Sequence, residues 1–508
     1  MNTRPKQLFG FVALTFVFFA AGCGGGSGST PPSPTAKFSD ASLSGQYAFS
    51  MAGNEVCAGT SSYFARAGSF TADGKGNITA GLEDVNVCPG VATLRFTGGK
   101  YSIGSDGRGS LKLTNSTGTT NYSIALSSST AGAIAQTDAG ATASGSFQRQ
   151  NRAAFLNTAI AGGYVFDLNG VDVSGTAVNP ASSIGRFDAD GAGAIFNGLF
   201  DSNIGGSPSG QQLFPAGAFC QLDTTPDGAN FGRGTANIAG QALAFYVVDA
   251  TRLKFIGTDF PSAWLGEAFS QQNVAFNTSS LNGSFAFLIG GSVSAGPIST
   301  AGRFAADGAG NLSNIALDEN NSGSWTPLPS GSVTGAFTVD SNQFGGGTLT
   351  WTDTKVGTFS FIFYLISPTQ AVLQETDSTI VSDGILTAQT TTPISGSTLA
   401  GDYVLGWTGF ANAEEDYIGQ VTLGSSGSLR GLLDVNDFFT HTQFFDVSTT
   451  GNLSLSGDGT QFNDFSANLN SGPAPALHFT TYVANPDTSF LVGVDSDRVI
   501  SGTLTRQP

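Results

Sequence analysis

The chain has 508 residues, more than one ordinary domain, and only 11% are charged, with 37 acidic against 20 basic and a net charge of −17. No Lys/Arg run follows the first few residues, which excludes a nucleic-acid partner, because neutralising phosphates needs clustered positive charge. Solubility must rest on Ser, Thr, Asn, Gln and the 70 glycines, a composition suited to an exported β protein.

Arg4 and Lys6 precede a run from Leu8 to Gly22 that is apolar apart from Thr15. That run falls short of the about 20 residues a membrane-spanning helix needs, and it matches the apolar region of a secretory signal. Ala20-Ala21-Gly22-Cys23 resembles the lipobox of bacterial lipoproteins, with Ala20 where leucine is usual. The resemblance implies a signal peptide over 1–22 and diacylglycerol and palmitate on Cys23, so that the lipid makes the membrane a partner. Gly25 stands where aspartate would mark inner-membrane retention, so the expected address is the outer membrane or cell surface. Residues 23–40 begin as a Gly/Ser stretch and stiffen into Pro31-Pro32-Ser33-Pro34, the composition of a tether.

The rest of the chain writes one pattern four times. Openings of the form L-x-G-x-Y-x-F stand at Leu43-Gly45-Tyr47, Ile160-Gly162-Tyr164, Leu281-Gly283-Phe285 and Leu399-Gly401-Tyr403. Closings of the form D-x6-G-x4-Q stand at Asp138-Gly145-Gln150, Asp259-Gly266-Gln271, Asp377-Gly384-Gln389 and Asp495-Gly502-Gln507. The closings recur at intervals of 121, 118 and 118 residues, which reads as one folding unit used repeatedly. The expected repeats are 41–150, 157–272, 279–389 and 397–508.

Within the first repeat, β-rich runs lie at Gln46–Met51, Ser62–Ala72, Asn77–Asn86, Ala92–Ile103, Gly109–Asn115, Asn121–Leu126, Gly132–Gln136 and Ala143–Gln150. Glycine-containing turns separate most of them, and no helical period appears, so the protein is expected to be all-β with about eight antiparallel strands per repeat. The Asp73-Gly74-Lys75-Gly76 turn recurs as Asp190-Gly191-Ala192-Gly193 and Asp307-Gly308-Ala309-Gly310, and becomes Gly424-Ser425-Ser426-Gly427 in the fourth copy. Asp84-x-Asn86, Asp201-x-Asn203, Asp318-x-Asn320 and Asp434-x-Asn436 follow, at strand ends where Asx side chains are expected to bond nearby backbone. The serial hairpins resemble the meander barrels of the avidin and lipocalin group. Closure would remove exposed edges, so a barrel is preferred, with a β-sandwich as the alternative.

Cys57 and Cys88 flank the first long hairpin and are expected to pair in an oxidising exterior, while Cys220 reads as a small buried residue. Candidate chemistry is sparse. Asp188-Ala189-Asp190-Gly191 opens like a calcium loop but lacks its later ligands, and Glu414-Glu415-Asp416 reads as a solvated loop. His441 and His478, the only histidines, lack zinc-ligand spacing and read as partly buried strand residues. No cofactor or metal is called for. Of the aromatic residues, 41 are Phe, 10 Tyr and 4 Trp, and the tryptophans do not align between repeats, which favours packing over sugar stacking. The four closing aspartates read as turn or strand-end residues.

The chain resembles Gly-rich bacterial lipoproteins with repeated β-domains, which implies export and anchoring but transfers no site residue. The expected function is therefore non-enzymatic: a surface or periplasm-facing array for binding, adhesion or spacing, with a surface polymer or protein as partner. The segments Asn54–Ser62, Val171–Ser183 and Asn412–Tyr417 are expected to be variable loops. A carrier of apolar ligands in barrel cavities is the alternative, and a secreted hydrolase a weaker one.

Overall fold

The computed structural model describes residues 38–174, 177–354, 356–389, 394–455, 464–471 and 476–508. The expected signal peptide, Cys23 and most of the expected tether lie outside them. The chain folds as four antiparallel meander barrels, as the serial hairpins predict. In the first, Ser44–Cys57, Thr60–Asp73, Asn77–Val87, Gly98–Ile103, Arg108–Asn115, Gly118–Ser128, Ala131–Gln136 and Ala141–Arg149 pair in order, and the last returns to the first. A short strand, Gly90–Arg95, leaves this ring as a flap on the third strand. The fourth barrel merges flap and rejoining strand into one continuous strand, Thr442–Leu455.

The recurrent glycines explain how each barrel closes. Gly76, Gly193, Gly310 and Gly427 have φ of +89°, +107°, +108° and +86°, a region open chiefly to glycine. Their carbonyls accept the N–H groups of Tyr101, Cys220, Phe337 and Leu453 at 3.0, 3.0, 2.9 and 2.6 Å, which joins the third strand to the rejoining one. The closing glycines meet a different constraint. A Cβ on Gly145, Gly266, Gly384 or Gly502 would lie 2.1, 1.9, 2.0 or 2.5 Å from a first-strand carbonyl oxygen.

Aromatic side chains fill the barrels. Tyr47 stacks on Phe70 at 5.5 Å and Tyr164 on Phe187 at 5.6 Å. In the third barrel Trp351 lies 4.4 Å from Phe361 and 5.1 Å from Phe287, and in the fourth Trp407 lies 4.5 Å from Phe479. Short helical turns at Asp40–Ser42, Asn157–Ala159, Thr278–Ser280 and Gly396–Leu399 cover one end of each barrel. We call that end the plug face. The opposite end carries the turns after the first, third, fifth and seventh strands of each barrel ring and the flap tips, and we call it the hairpin face.

The four barrels form a closed ring, an arrangement that the repeat pattern left open. Asn86 of the first barrel donates to the carbonyls of Gly257 and Ser262 in the second, at 3.1 and 2.9 Å. Asn203 does the same to Glu375 and Ile380 in the third, and Asn320 to Gly493, Asp495 and Arg498 in the fourth. Asn436 then returns from the fourth barrel to Gln136 and Ala141 of the first, at 2.7 and 2.9 Å. These asparagines were expected to bond local backbone. They bond the next barrel instead, because the outward face of the third strand is covered by its neighbour.

At the plug end the closing glutamines repeat the same step. Gln150 donates to Phe231 and Val247, Gln271 to Phe344 and Leu365, Gln389 to Val483, and Gln507 to Asp106 and Leu126. Each pairwise seam has its own apolar cluster: Ala67 with Tyr246 and Ile256, Ile184 with Tyr364 and Val372, Leu288 with Tyr482 and Val492, and Ala133 with Val404 and Ile418.

Only the seam between fourth and first barrels lacks a chain connection, so its side chains alone hold the ring shut. A buried carbonyl that loses its donor costs about 1–3 kcal/mol. Asn436→Leu combined with Gln507→Leu should therefore open the ring while leaving the barrels folded. The expected result is a larger radius of gyration by X-ray scattering with an unchanged β-sheet circular dichroism spectrum.

Candidate functional site

The signature residues sit at structural positions. Gly45, Gly162, Gly283 and Gly401 have φ of +115°, +91°, +118° and +156° where the chain leaves the plug turn. Tyr47 and Tyr164 donate to the carbonyls of Ser129 and Ala250, both at 2.8 Å, and Tyr403 to Leu399 and Pro486 at 2.8 and 3.1 Å. Phe285 keeps the ring and drops that bond. Asp138, Asp377 and Asp495 accept the N–H groups of Asn121, Ser360 and His478 on the sixth strand. Asp259 is exposed in its turn.

Cys57 and Cys88 form a disulfide that ties the first hairpin tip to the flap tip, with Cα atoms 5.8 Å apart. Cys220 is buried in the second barrel. Asp188 pairs with Arg186 at 2.5 Å, and Asp190 accepts the N–H groups of Ala192 and Ala194, so hairpin and ion-pair geometry account for the calcium-like segment. His478 bonds Asp495 through Nδ1 at 2.6 Å, whereas His441 lies in an exposed turn at φ +53°, off the strand expected for it.

Two expectations are corrected at the hairpins. Asn54–Ser62 and Val171–Ser183 are mostly paired strand arms with short tips, because their residues complete a two-stranded ladder. Glu414-Glu415-Asp416 is a buried strand segment, 6%, 8% and 1% exposed, and not a solvated loop. It is buried because it faces the ring axis or the interior of its own barrel. Glu415 shares its place with Tyr417 and Arg498, the last donating to the tyrosine oxygen at 3.2 Å.

That axis is the most unusual chemical feature of the molecule. Thr142 donates to Asp416 at 2.7 Å, Ser144 bonds Thr408, and Asn54 donates to Glu414, all across the seam between first and fourth barrels. Lys254 of the second barrel donates to Ser50 and Ser146 of the first at 3.1 and 2.9 Å and pairs with Glu267 at 2.5 Å. Asn169 donates to Asp383 at 3.4 Å between second and third barrels. Burial, with Glu414 and Asp383 adding to it, holds the phenol of Tyr63 in the first barrel well above the usual range. Burial, with Asp383 and Glu267 adding to it, likewise raises the carboxyl of Asp167.

Burial drives the neighbouring groups the same way. Asp383 is pushed up to about 7 against donors from Ser182 and Asn169, and Asp416 to about 6 against the hydroxyls of Thr142, Ser144 and Thr408. Glu375 is pushed up to about 8 and Asp201 to about 6. Lys254 is lowered to about 8 by burial, against the attraction of Glu267. Asp167, Lys254, Glu375 and Asp383 were missed from sequence because a lone charged residue in an apolar strand, as in Val165-Phe166-Asp167, carries no motif, whereas Asp201 and Asp416 stood in segments read as a strand end and a solvated loop. The available signal was that outward positions of the first and last strands are polar in one copy or another.

Two grooves lie outside the barrels. One of about 560 Å³ runs between first and fourth barrels past Arg108, Lys112, Asp434 and Phe445. The other, of about 690 Å³, lies between second and third barrels beside Arg186, Gln271, Phe196 and Phe344. Among the described residues no group of three His, Cys, Asp or Glu side chains is placed to hold a metal ion.

Comparison with known proteins adds little at the level of family. No family model and no curated protein sequence matches the chain. Among solved structures it is similar to a mutant of Transferrin Binding Protein B from Haemophilus parasuis Hp5, at 12% identity and a TM-score of 0.21, over 75% of this chain and 84% of that one. It is similar also to isotype 1 Transferrin binding protein B from serogroup B Neisseria meningitidis, at 10% identity and a TM-score of 0.20, over 74% and 84% of the two chains. At TM-scores this low the likeness carries no functional argument.

The raised carboxyls set a pH dependence. The folded protein keeps protons that the unfolded chain releases near pH 4, so unfolding releases protons and stability falls as pH rises from about 4 to about 8. Each such group contributes a slope of up to about 1.4 kcal/mol per pH unit in its own window. The thermal midpoint should therefore drop between about pH 5 and about pH 8, and Asp383→Asn should flatten that drop. Thermal melts read by circular dichroism across the range check both.

Proposed function

We propose that the chain is a lipid-anchored surface protein whose ring of barrels is a rigid, non-enzymatic platform for binding a partner. One observation carries this reading: the residues repeated in every copy hold barrels and ring together, while repeat-specific residues gather at the hairpin tips. Asn86, Asn203, Asn320 and Asn436 with Gln150, Gln271, Gln389 and Gln507 join barrel to barrel. The tips have nothing in common beyond their place: a disulfide in the first copy, Gly205-Gly206 in the second, Trp325 in the third and Phe438-Phe439 in the fourth. Scaffolds that carry function on loops divide their residues in this way.

The carrier reading requires open barrels. The stacked aromatics of each interior, 0% exposed at Tyr47, Phe70, Tyr164 and Phe187, leave it without support. Native mass spectrometry of the ectodomain from Gly24 should return the bare chain with one disulfide, whereas a co-purifying apolar ligand would restore the carrier. Anchoring at Cys23 has its own test. An alkyne analogue of palmitate should label the wild-type protein in cells and fail to label Cys23→Ser, which should leave the membrane fraction. A Cys23→Ser protein that stays membrane-bound and labelled would contradict the proposal.

A further inference from the structure

All four barrels point the same way. Asn86 and Asn436 bond turns at the hairpin end of the next barrel, and Gln150 and Gln507 bond carbonyls at its plug end. The two faces of the ring are therefore distinct surfaces built from all four copies. The described chain starts on the plug face, where Phe38 donates to the Ser105 carbonyl and packs into the first barrel. Exposed cations collect around that point: Lys75, Lys100, Arg149 and Arg152.

The hairpin face is the opposite in both respects. Among the described residues no Lys or Arg is exposed there; Arg498 is 8% exposed, and Lys355 lies outside the described residues. Asp259 is exposed on it, as is Asp497, which pairs with Arg498 at 3.2 Å, and Asp172 and Asp437 are half-buried beside them. The same face displays large apolar side chains on every copy. Val56 is 47% exposed, Phe260 44%, Trp325 44% and Phe439 62%. Apolar side chains at this exposure, set among carboxylates and repeated around a rigid ring, have the make-up of an interface: aromatic anchors inside a charged rim.

We propose that the hairpin face is the partner-binding surface, and that its partner is a protein with a positively charged surface bearing apolar side chains. The inference rests on the reading of the chain as a surface-displayed binding platform. The plug face is turned toward the membrane by the tether that enters there, which leaves the hairpin face outermost. The carboxylates set the sign of the partner and speed its approach, and the aromatic tips supply the buried anchors.

The test uses the ectodomain immobilised through residue 24, with egg-white lysozyme as a cationic probe and succinylated lysozyme as its anionic counterpart. Lysozyme should bind and the succinylated form should not. Asp259→Asn with Asp437→Asn and Asp497→Asn should weaken binding about tenfold, and Trp325→Ser with Phe439→Ser should weaken it at least as much. The control triple Asp227→Asn, Asp340→Asn and Asp487→Asn, on the plug face, should leave binding unchanged, with melts confirming that every variant folds. Equal loss in the control triple, no loss in the hairpin-face variants, or no binding of the cationic probe would overturn the proposal. Loss of the platform reading itself would show separately, as a Cys23→Ser protein that remains membrane-bound.

Discussion

A carboxamide that donates to two or three buried carbonyls of the next barrel, repeated around the ring, is the interaction on which the architecture depends. Backbone carbonyls at the turn before each final strand are covered by the neighbouring barrel and cannot reach water, so each needs a protein donor. Asn86, Asn203, Asn320 and Asn436 supply it and are 1%, 0%, 0% and 3% exposed. Because each donor points to the next copy and the fourth points to the first, the pattern closes on itself without an edge. The same carboxamides leave the third-strand aspartates beside a hydroxyl in three seams: Asp84 accepts from Tyr246, Asp201 from Tyr364 and Asp318 from Tyr482, each at 2.7 Å. In the closing seam the corresponding residue of the first barrel is Ala125, and Arg108 approaches Asp434 at 3.4 Å in place of a tyrosine.

Closure has a chemical consequence at the axis. First and last strands of every barrel turn outward toward their neighbours there, so their outer positions are buried by symmetry whatever residues occupy them. Small hydroxyls fill that space: Ser144 and Thr408 bond each other, and Ser50 and Ser146 accept from Lys254. Carboxyls in the same place are forced toward the neutral form, and Lys254 is retained only with Glu267 and two serines around it. Buried polar networks of this kind favour one arrangement of barrels over slipped ones, because any slip strands a charge.

How much of this could be read in the sequence follows from which contacts are local. Strand order within a barrel was legible, since hairpins join neighbours and turn glycines such as Gly76 announce themselves by spacing. The paired Cys57 and Cys88 were legible for the same reason. The ring was not. Asp84-x-Asn86 recurs at constant spacing, which marks it as structural, but its partners lie 171 and 176 residues away for Asn86. A single sequence gives no means of choosing between a local turn and a contact at that separation. Glu414 to Asp416 misled for a related reason: three acids in a row read as solvated unless a neighbouring barrel is known to cover them.

The difference between the two faces follows from the same geometry, because a closed ring has an inside and two distinct ends, and the described chain starts at one of them. Closure is thus the central claim, and X-ray scattering of the chain from Gly24 onward in solution tests it most directly. A closed ring predicts a pair-distance distribution with one compact maximum and a sharp limit, matched by the scattering calculated from the four-barrel ring. A long tail with several maxima, as four barrels in a row would give, would contradict it.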